Sequence, residues 1–287
     1  MINSNSENIV KIGNLIAYGT YNEVLSRYKY VVNFQAGDKV VSLCTSVLCP
    51  GPFRIILANL DLDEVQYFSL TENELVLNNE IRLRFSPKQL YKQPKLLPSL
   101  TGHTKNTQMR ILISELLDSE DVNLLNLFTD VRLRLNRFQA GLRECFVAGI
   151  SAYIAGDKLS FVECLKGRGI GSTPSGDDFI LGHLIGLSWL CEAWGIDLHA
   201  DRETVYKAAL GSNPLLNTFY YQAYTLQLDK IWADFLNSLA DNRVNRLMDD
   251  FYEVMDLGAS SGEDMLCGFC FLLMDYLRVY GSKDDKQ

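Results

Sequence analysis

The sequence predicts an α+β protein: a small N-terminal β barrel or sandwich, then an all-α domain with two buried, motif-capped helices. Three observations predict it. Residues up to about 90 break into short β-branched and aromatic runs separated by turn signals. Residues 86–101 hold three of the seven prolines, at 87, 94 and 98, which disfavours a continuous helix or a central strand. From about residue 104 apolar residues recur at helical spacing. The expected organisation is a β domain over 1–90, a linker over 91–103, a helical domain over 104–281 and a tail over 282–287.

Taken in order, strands are expected at 9–18, 28–35, 38–48, 53–59, 64–70, 74–77 and 80–85. Ala36-Gly37-Asp38, Pro50-Gly51-Pro52 and Asn78-Asn79 supply turns between them. Few helical patterns intervene, so little supports parallel crossovers. Met109, Ile111, Leu112, Ile113, Leu116 and Leu117 give the first helix its apolar face. A long helical pattern covers 121–155 and breaks near Asn136, and Asp157 is placed to cap a short helix over 158–166. Further helices are expected at 201–210, 215–227, 229–239, 243–256 and about 262–280, the last ending at Gly281 before a charged tail.

Between these helices lies the most distinctive stretch, GRGIGSTPSGDDFILG, Gly167 to Gly182. A fainter copy, SSGEDMLCG, runs from Ser260 to Gly268, and SGDDFILG aligns with SGEDMLCG without a gap. Ser175 with Asp178, and Ser261 with Asp264, form the Ser-x-x-Asp pattern of a capping box, with each serine as N-cap. Capping alone explains one acid per motif, yet each copy carries two. Gly167, Gly169 and Gly171 suit a loop that a ligand approaches closely, and Thr173-Pro174 fixes its entry into the helix. Neighbouring helical positions diverge by ~100°, so Asp177 is expected to face a ligand while Asp178 bonds back to the cap.

A helix start behind a glycine loop is a natural anion site. Adjacent carboxylates would repel an anion unless a cation intervenes or the ligand also presents donors. The pattern therefore calls for a phosphate-like or carboxylate-like group on backbone amides, with the acids binding an amine or a metal. The residue types require no metal or other cofactor, although Mg²⁺ is compatible with them. Arg168 is the best-placed cation for an oxyanion, ahead of Lys166 and Arg143. Gly182 and Gly268, at the same place in each copy, predict two helices packed side by side about a pseudo-two-fold, their starts converging on one pocket. Neither a Walker nor a Rossmann reading fits, since no Lys-Ser/Thr follows and no strand precedes the loop.

Other features read as structure. Cys267-Gly268-Phe269-Cys270 is a CxxC inside an apolar helix and is expected to be core. His183 reads as a core histidine and His103 as a solvated turn. Three histidines without ligand spacing give no zinc site. A net charge of −8 with no basic face argues against a nucleic-acid surface. The apolar segments Phe179–Cys191 and Met265–Met274 are too short to span a bilayer, so no membrane is expected. Seven cysteines, an odd number, and a polar start without an apolar leader fit a cytoplasmic protein.

At these residues the chain resembles a known family. Gly167 to Gly182 matches GxGxxxTPSGDDFxxG and is similar to the signature of AllH-type proteins, named for a subunit of an oxamate carbamoyltransferase. Gly258 to Gly268, GASSGEDMLCG, resembles that family's second motif, and Pro50 to Ile55, PGPFRI, its N-terminal element. The resemblance implies carbamoyl transfer between oxalurate and phosphate, giving oxamate and carbamoyl phosphate, with other subunits as partners. Joined to the motif chemistry, it gives an expected site. Arg168, Gly169, Gly171, Thr173, Ser175, Gly176 and Asp178 face Ser260, Ser261, Gly262 and Asp264 around an anion, with Asp177 and Glu263 as the catalytic acids.

Overall fold

The structure, a computed structural model, describes residues 8–98, 102–119, 121–130, 132–241 and 243–284, apart from the side chains of 102–105 and 282–284. The expectations for the first seven residues, for the His103 side chain and for the end of the tail lie outside the described residues. The chain divides into two compact units. The first comprises Met1–Pro94, Ser212–Thr218 and Gln227–Ala233; the second comprises Lys95–Gly211, Phe219–Leu226 and Asp234–Gln287.

The first unit carries strands β1 (Ile9–Ile12), β2 (Gly19–Tyr21), β3 (Val24–Tyr28), β4 (Val31–Ala36), β5 (Lys39–Thr45), β6 (Arg54–Leu57), β7 (Phe68–Leu70), β8 (Glu74–Leu77) and β9 (Ile81–Arg84). They form two open sheets, in the orders β1-β6-β5-β4-β3 and β2-β7-β8-β9. No barrel closes, so of the two expected architectures the sandwich-like one fits. The sheets meet through aromatic rings. Phe34 of β4 stands edge-on to Phe68 of β7 at 5.0 Å, and within the second sheet Tyr21 of β2 stacks on Phe68 at 4.5 Å.

One pairing departs from the sequence reading. β5 and β6 are parallel, with Ser42 opposite Arg54 and Thr45 opposite Leu57, and no helix connects them. The return runs through Pro50-Gly51-Pro52, held by Gly13 N–H to Arg54 O (2.7 Å) and Ser42 N–H to Phe53 O (3.0 Å). This explains the PGPFRI element. A β-carbon at Gly51 would lie 1.7 Å from Asp229 Oδ1, and Asp229 pairs with Arg54 at 2.6 Å. The element thus binds the Gln227–Ala233 segment into the first unit.

The helices are α1 (Gly102–Leu117), α2 (Leu124–Thr129), α3 (Arg137–Ile154), α4 (Lys158–Leu165), α5 (Ser175–Trp194), α6 (His199–Ala209), α7 (Pro214–Thr225), α8 (Lys230–Leu239), α9 (Val244–Met255) and α10 (Ser261–Asp284). The expected break near Asn136 is a helix start: Asn136 Oδ1 accepts Gln139 N–H at 2.9 Å, and Gln139 Oε1 accepts Asn136 N–H at 3.0 Å. Asp157 caps α4 by accepting Ser160 N–H at 2.9 Å. In the second unit the core centres on α5, buried without interruption from Gly176 to Cys191, and on α10. A helix buried on all sides needs neighbours on all sides, and α1, α2, α4, α6 and α9 pack around this pair. Among the described residues, no helix is long and apolar enough to cross a membrane.

Candidate functional site

α5 and α10 touch through their glycines, and the contact is reciprocal. A β-carbon at Gly182 would lie 1.8 Å from Met265 O, and one at Gly268 would lie 1.9 Å from Phe179 O. Met265 and Phe179 occupy equivalent places in the two motifs. The same symmetry governs the helix starts. Gly176 backs onto Leu165 O of α4 at 1.9 Å from its absent β-carbon, and Gly262 backs onto Val254 O of α9 at 2.0 Å.

The match extends further back than the sequence showed. Arg168 N–H bonds Leu165 O (3.0 Å) and Leu257 N–H bonds Val254 O (3.1 Å); then Gly176 N–H bonds Arg168 O (2.7 Å) and Gly262 N–H bonds Leu257 O (2.9 Å). Gly169 and Gly258, at φ +118° and +68°, follow in each half, in backbone that disfavours side chains. α4–loop–α5 and α9–loop–α10 are therefore two copies of one helix–loop–helix.

The capping boxes do not form. α5 begins at Ser175 itself, with Pro174 at the N-cap, and Asp178 N–H bonds Pro174 O (3.1 Å). In the second half α10 begins at Ser261, and Asp264 N–H bonds Ser260 O (2.9 Å). Freed from capping their own helix, the serines reach across. Ser261 of α10 and Thr173 interact with Asp178 of α5, while Ser175 of α5 and Ser260 interact with Asp264 of α10. Thr173 Oγ1 lies 3.1 Å from Ser261 Oγ, and Ser260 Oγ donates to Asp264 Oδ2 at 3.2 Å. The serine–aspartate pairs are crossed between helices because close glycine packing puts each helix start beside the other.

Both crossed aspartates are buried, Asp178 at 2% exposure and Asp264 at 6%. Burial pushes Asp178 up to about 7, against the pull of Ser261 and Thr173, and the Asp264 charge adds to the rise. Burial likewise pushes Asp264 up to about 6, against Ser175 and Ser260. Asp178 Oδ2 has no hydrogen-bond partner among the described residues. Two carboxyl groups that titrate near neutrality thus lie side by side beneath half-buried hydroxyls.

Asp177 has a different place from the one expected. Its Oδ2 accepts Gly167 N–H at 2.8 Å and its Oδ1 accepts the Tyr220 hydroxyl at 3.0 Å, both inside the fold. It ties the glycine loop to α7. Its counterpart Glu263 is half-buried, with its carboxyl raised by burial and by Asp264 and Asp121. The backbone amides of Gly176, Asp177, Asp178, Gly262 and Asp264 all bond carbonyls of their own segments. The amide cradle expected at Gly176 and Gly262 is thus taken up internally, and those two glycines serve packing.

The exposed rim consists of Arg168, Gly171, Ser260 and the partly covered Gly169. Lys166 Nζ instead closes the end of α6, donating to Ala208 O at 3.0 Å, and Arg143 donates to Asp130 O. His183 is fully buried among Tyr153, Phe161 and Phe271, and burial drives its pKa down to about 3 against the pull of the Gly268 backbone. Cys267 and Cys270 are buried free thiols. Among the described residues no group of three or more His, Cys, Asp or Glu side chains could hold a metal ion.

Sequence reasoning missed Tyr220 as a partner of Asp177, and it missed Gly258 as the counterpart of Gly169. An aromatic run hides the first. An alignment that allowed a gap before the second serine would have found the other.

A family model described as oxamate carbamoyltransferase subunit AllH matches residues 165–273. Over that span the chain is similar to AllH. The matched span starts at the end of α4 and contains both SG[DE]D motifs and both core glycines, so the AllH-type region is the duplicated centre just described. Neither the curated proteins nor the solved structures give a match.

Proposed function

We propose that this chain is a subunit of an oxamate carbamoyltransferase-type enzyme, acting on carbamoyl transfer between oxalurate and phosphate in breakdown of allantoin-derived nitrogen. The crossed Ser–Asp centre inside the family-matched region carries the reading. In phosphorolysis a phosphate oxygen bonds the ureido carbonyl carbon, the bond from that carbon to the oxamate nitrogen breaks, and the nitrogen takes up a proton. A carboxyl poised near pH 7 can supply that proton, and the reverse reaction returns it. Asp178 and Asp264 hold it; Ser261, Ser175 and Thr173, half-exposed, pass it to the rim. Arg168, Gly169, Gly171 and Ser260 receive the anions, Asp177 holds the loop, and Glu263 adds charge beside Asp264. Mg²⁺ takes no step in this reading, and the partners are the other subunits of the complex.

The test is phosphate-dependent oxalurate cleavage by the full complex. Asp178→Asn and Asp264→Asn are each expected to lower kcat by about 10²-fold or more. Wild-type kcat in both variants would end the proton-store role.

One observation favours a second reading, a non-catalytic scaffold for an active site on other subunits: both crossed aspartates are under a tenth exposed. Cleavage by the purified chain alone would exclude it.

A further inference from the structure

A groove of about 550 Å³ runs between α3 and the glycine loop, lined by Arg137, Phe138, Leu142, Cys145, Arg168 and Gly169, with Gly141 between them. Its volume suits a small organic ligand. Two features mark it as a candidate ligand site.

The first is charge. Arg54, Arg132, Arg202 and Arg278 each sit on a carboxylate. Among the described residues Arg137 and Arg168 form no ion pair, although the chain carries a net charge of −8. Arg168 is steadied by Nε donating to Cys164 O at 3.2 Å, which leaves the outer guanidinium nitrogens for a ligand. Two unpaired guanidiniums facing one groove repel each other, and a bound anion converts that repulsion into attraction.

The second is asymmetry within the duplication. The residue that follows the Leu165 turn is Arg168, whereas the residue that follows the matching Val254 turn is Leu257. The loop from Gly169 to Ser175 encloses five residues, Ile170 to Pro174; its counterpart from Gly258 to Ser261 encloses Ala259 and Ser260 alone. Packing alone keeps the glycines equal in both halves, so it does not call for this difference. The half with the longer loop and the arginine is the half that borders the groove.

We propose that this groove binds a small planar carboxylate, clamped by Arg137 and Arg168, with its body against Phe138, Leu142 and the Cys145 sulfur. Phe138 stands 53% exposed, and a β-carbon at Gly141 would meet nothing within 4 Å, so the floor is open to a flat ligand. A guanidinium fork matches a carboxylate in two parallel hydrogen bonds. A tetrahedral phosphate would use the arginines but leave the apolar wall uncovered. The choice of carboxylate rests on the carbamoyl-transfer reading; oxamate is the planar member of that reaction.

The experiment is calorimetric titration of the full chain with oxamate and, separately, with inorganic phosphate at low ionic strength. Arg137→Ala and Arg168→Ala are each expected to weaken oxamate at least 10-fold and Phe138→Ala about 3-fold, with Arg137→Lys recovering part of the loss. Arg84→Ala, in the other unit, should bind as wild type. No oxamate binding by the wild-type chain, binding indifferent to both arginines, or arginine-dependent binding of phosphate in place of oxamate would overturn the proposal. Activity of the complex separates the two readings. Arginine variants with a wild-type KM for oxalurate sink the groove and leave carbamoyl transfer standing. Arginine-dependent oxamate binding in a complex with no transfer activity does the reverse.

Discussion

The two copies of the helix–loop–helix share their frame and differ in their loops. In both, a glycine one residue into the long helix backs onto a carbonyl of the preceding helix, and a second glycine seats the long helices against each other. In both, a serine at the helix start faces an aspartate of the other copy. The first copy adds a longer, glycine-rich loop, Arg168, and a tether from Asp177 to Gly167 and Tyr220. The lesson is a division of labour: the shared parts build a buried centre that needs both halves, and the unshared parts lie at its rim.

The comparison can be broken most forcefully at the shared glycines. Gly182→Ala and Gly268→Ala each place a methyl within 2 Å of a backbone oxygen, which neither helix can yield without separating. Each is expected to cost ~3 kcal/mol or more, and by similar amounts, in urea unfolding. A large difference between them would show that the halves are not equivalent in packing.

Next come the crossed aspartates. The native carboxyl of Asp178 titrates at about 7, above its unfolded value, so the folded chain binds the extra proton. Stability from this group therefore falls as pH rises from ~4 to ~7, and the full cost is present above that. Asp178→Asn should stabilise the chain above pH 7 by on the order of 2 kcal/mol and have little effect near pH 4, read from melting at both pH values. Asp264→Asn should act in the same direction over a lower and narrower window, since Asp264 reaches about 6. Equal melting shifts at all pH values would mean that neither proton is held.

At the tether, Asp177→Ala leaves the Gly167 amide without its acceptor and the Tyr220 hydroxyl with only the longer bond to the residue-177 carbonyl (3.3 Å), at a cost of about 2 kcal/mol. Tyr220→Phe removes a single donor and should cost about 1 kcal/mol. Amide exchange at Gly167 should rise in the first variant more than in the second.

A change at one position of α5 copies the second half into the first. His183 aligns with Phe269. Held neutral at about 3, His183 resists a proton that the unfolded chain accepts below ~6.5, so its contribution drains away as pH falls through that window. His183→Phe should flatten the stability difference between pH 7 and pH 5 by about 2 kcal/mol. An unchanged difference would place the acid sensitivity elsewhere.

Much of this was legible in the chain. Asn136 and Asp157 marked helix starts because a side-chain cap is a local interaction. The paired glycines foretold close helix packing, because only a missing side chain lets two backbones approach. The parallel β5–β6 pair was not legible, since it is set by what Pro50 to Ile55 packs against and not by local propensity. Nor were the roles of the two acids. Helical spacing sent Asp177 outward and Asp178 back to its cap, but it contains no information about Tyr220, 43 residues away, or about the facing helix.

Two apolar helices that open with SG[DE]D, and the glycines that fit them to one another, are written in the order of the residues. These follow from residue types at fixed spacing along one chain. Long-range packing sets the rest: the serines meet the aspartates of the facing helix, Asp178 and Asp264 form the buried pair, and Arg137 joins Arg168 at one groove. Each of these depends on a neighbour from another element. The energy of a buried carboxylate or an unpaired guanidinium is set by what surrounds it in space.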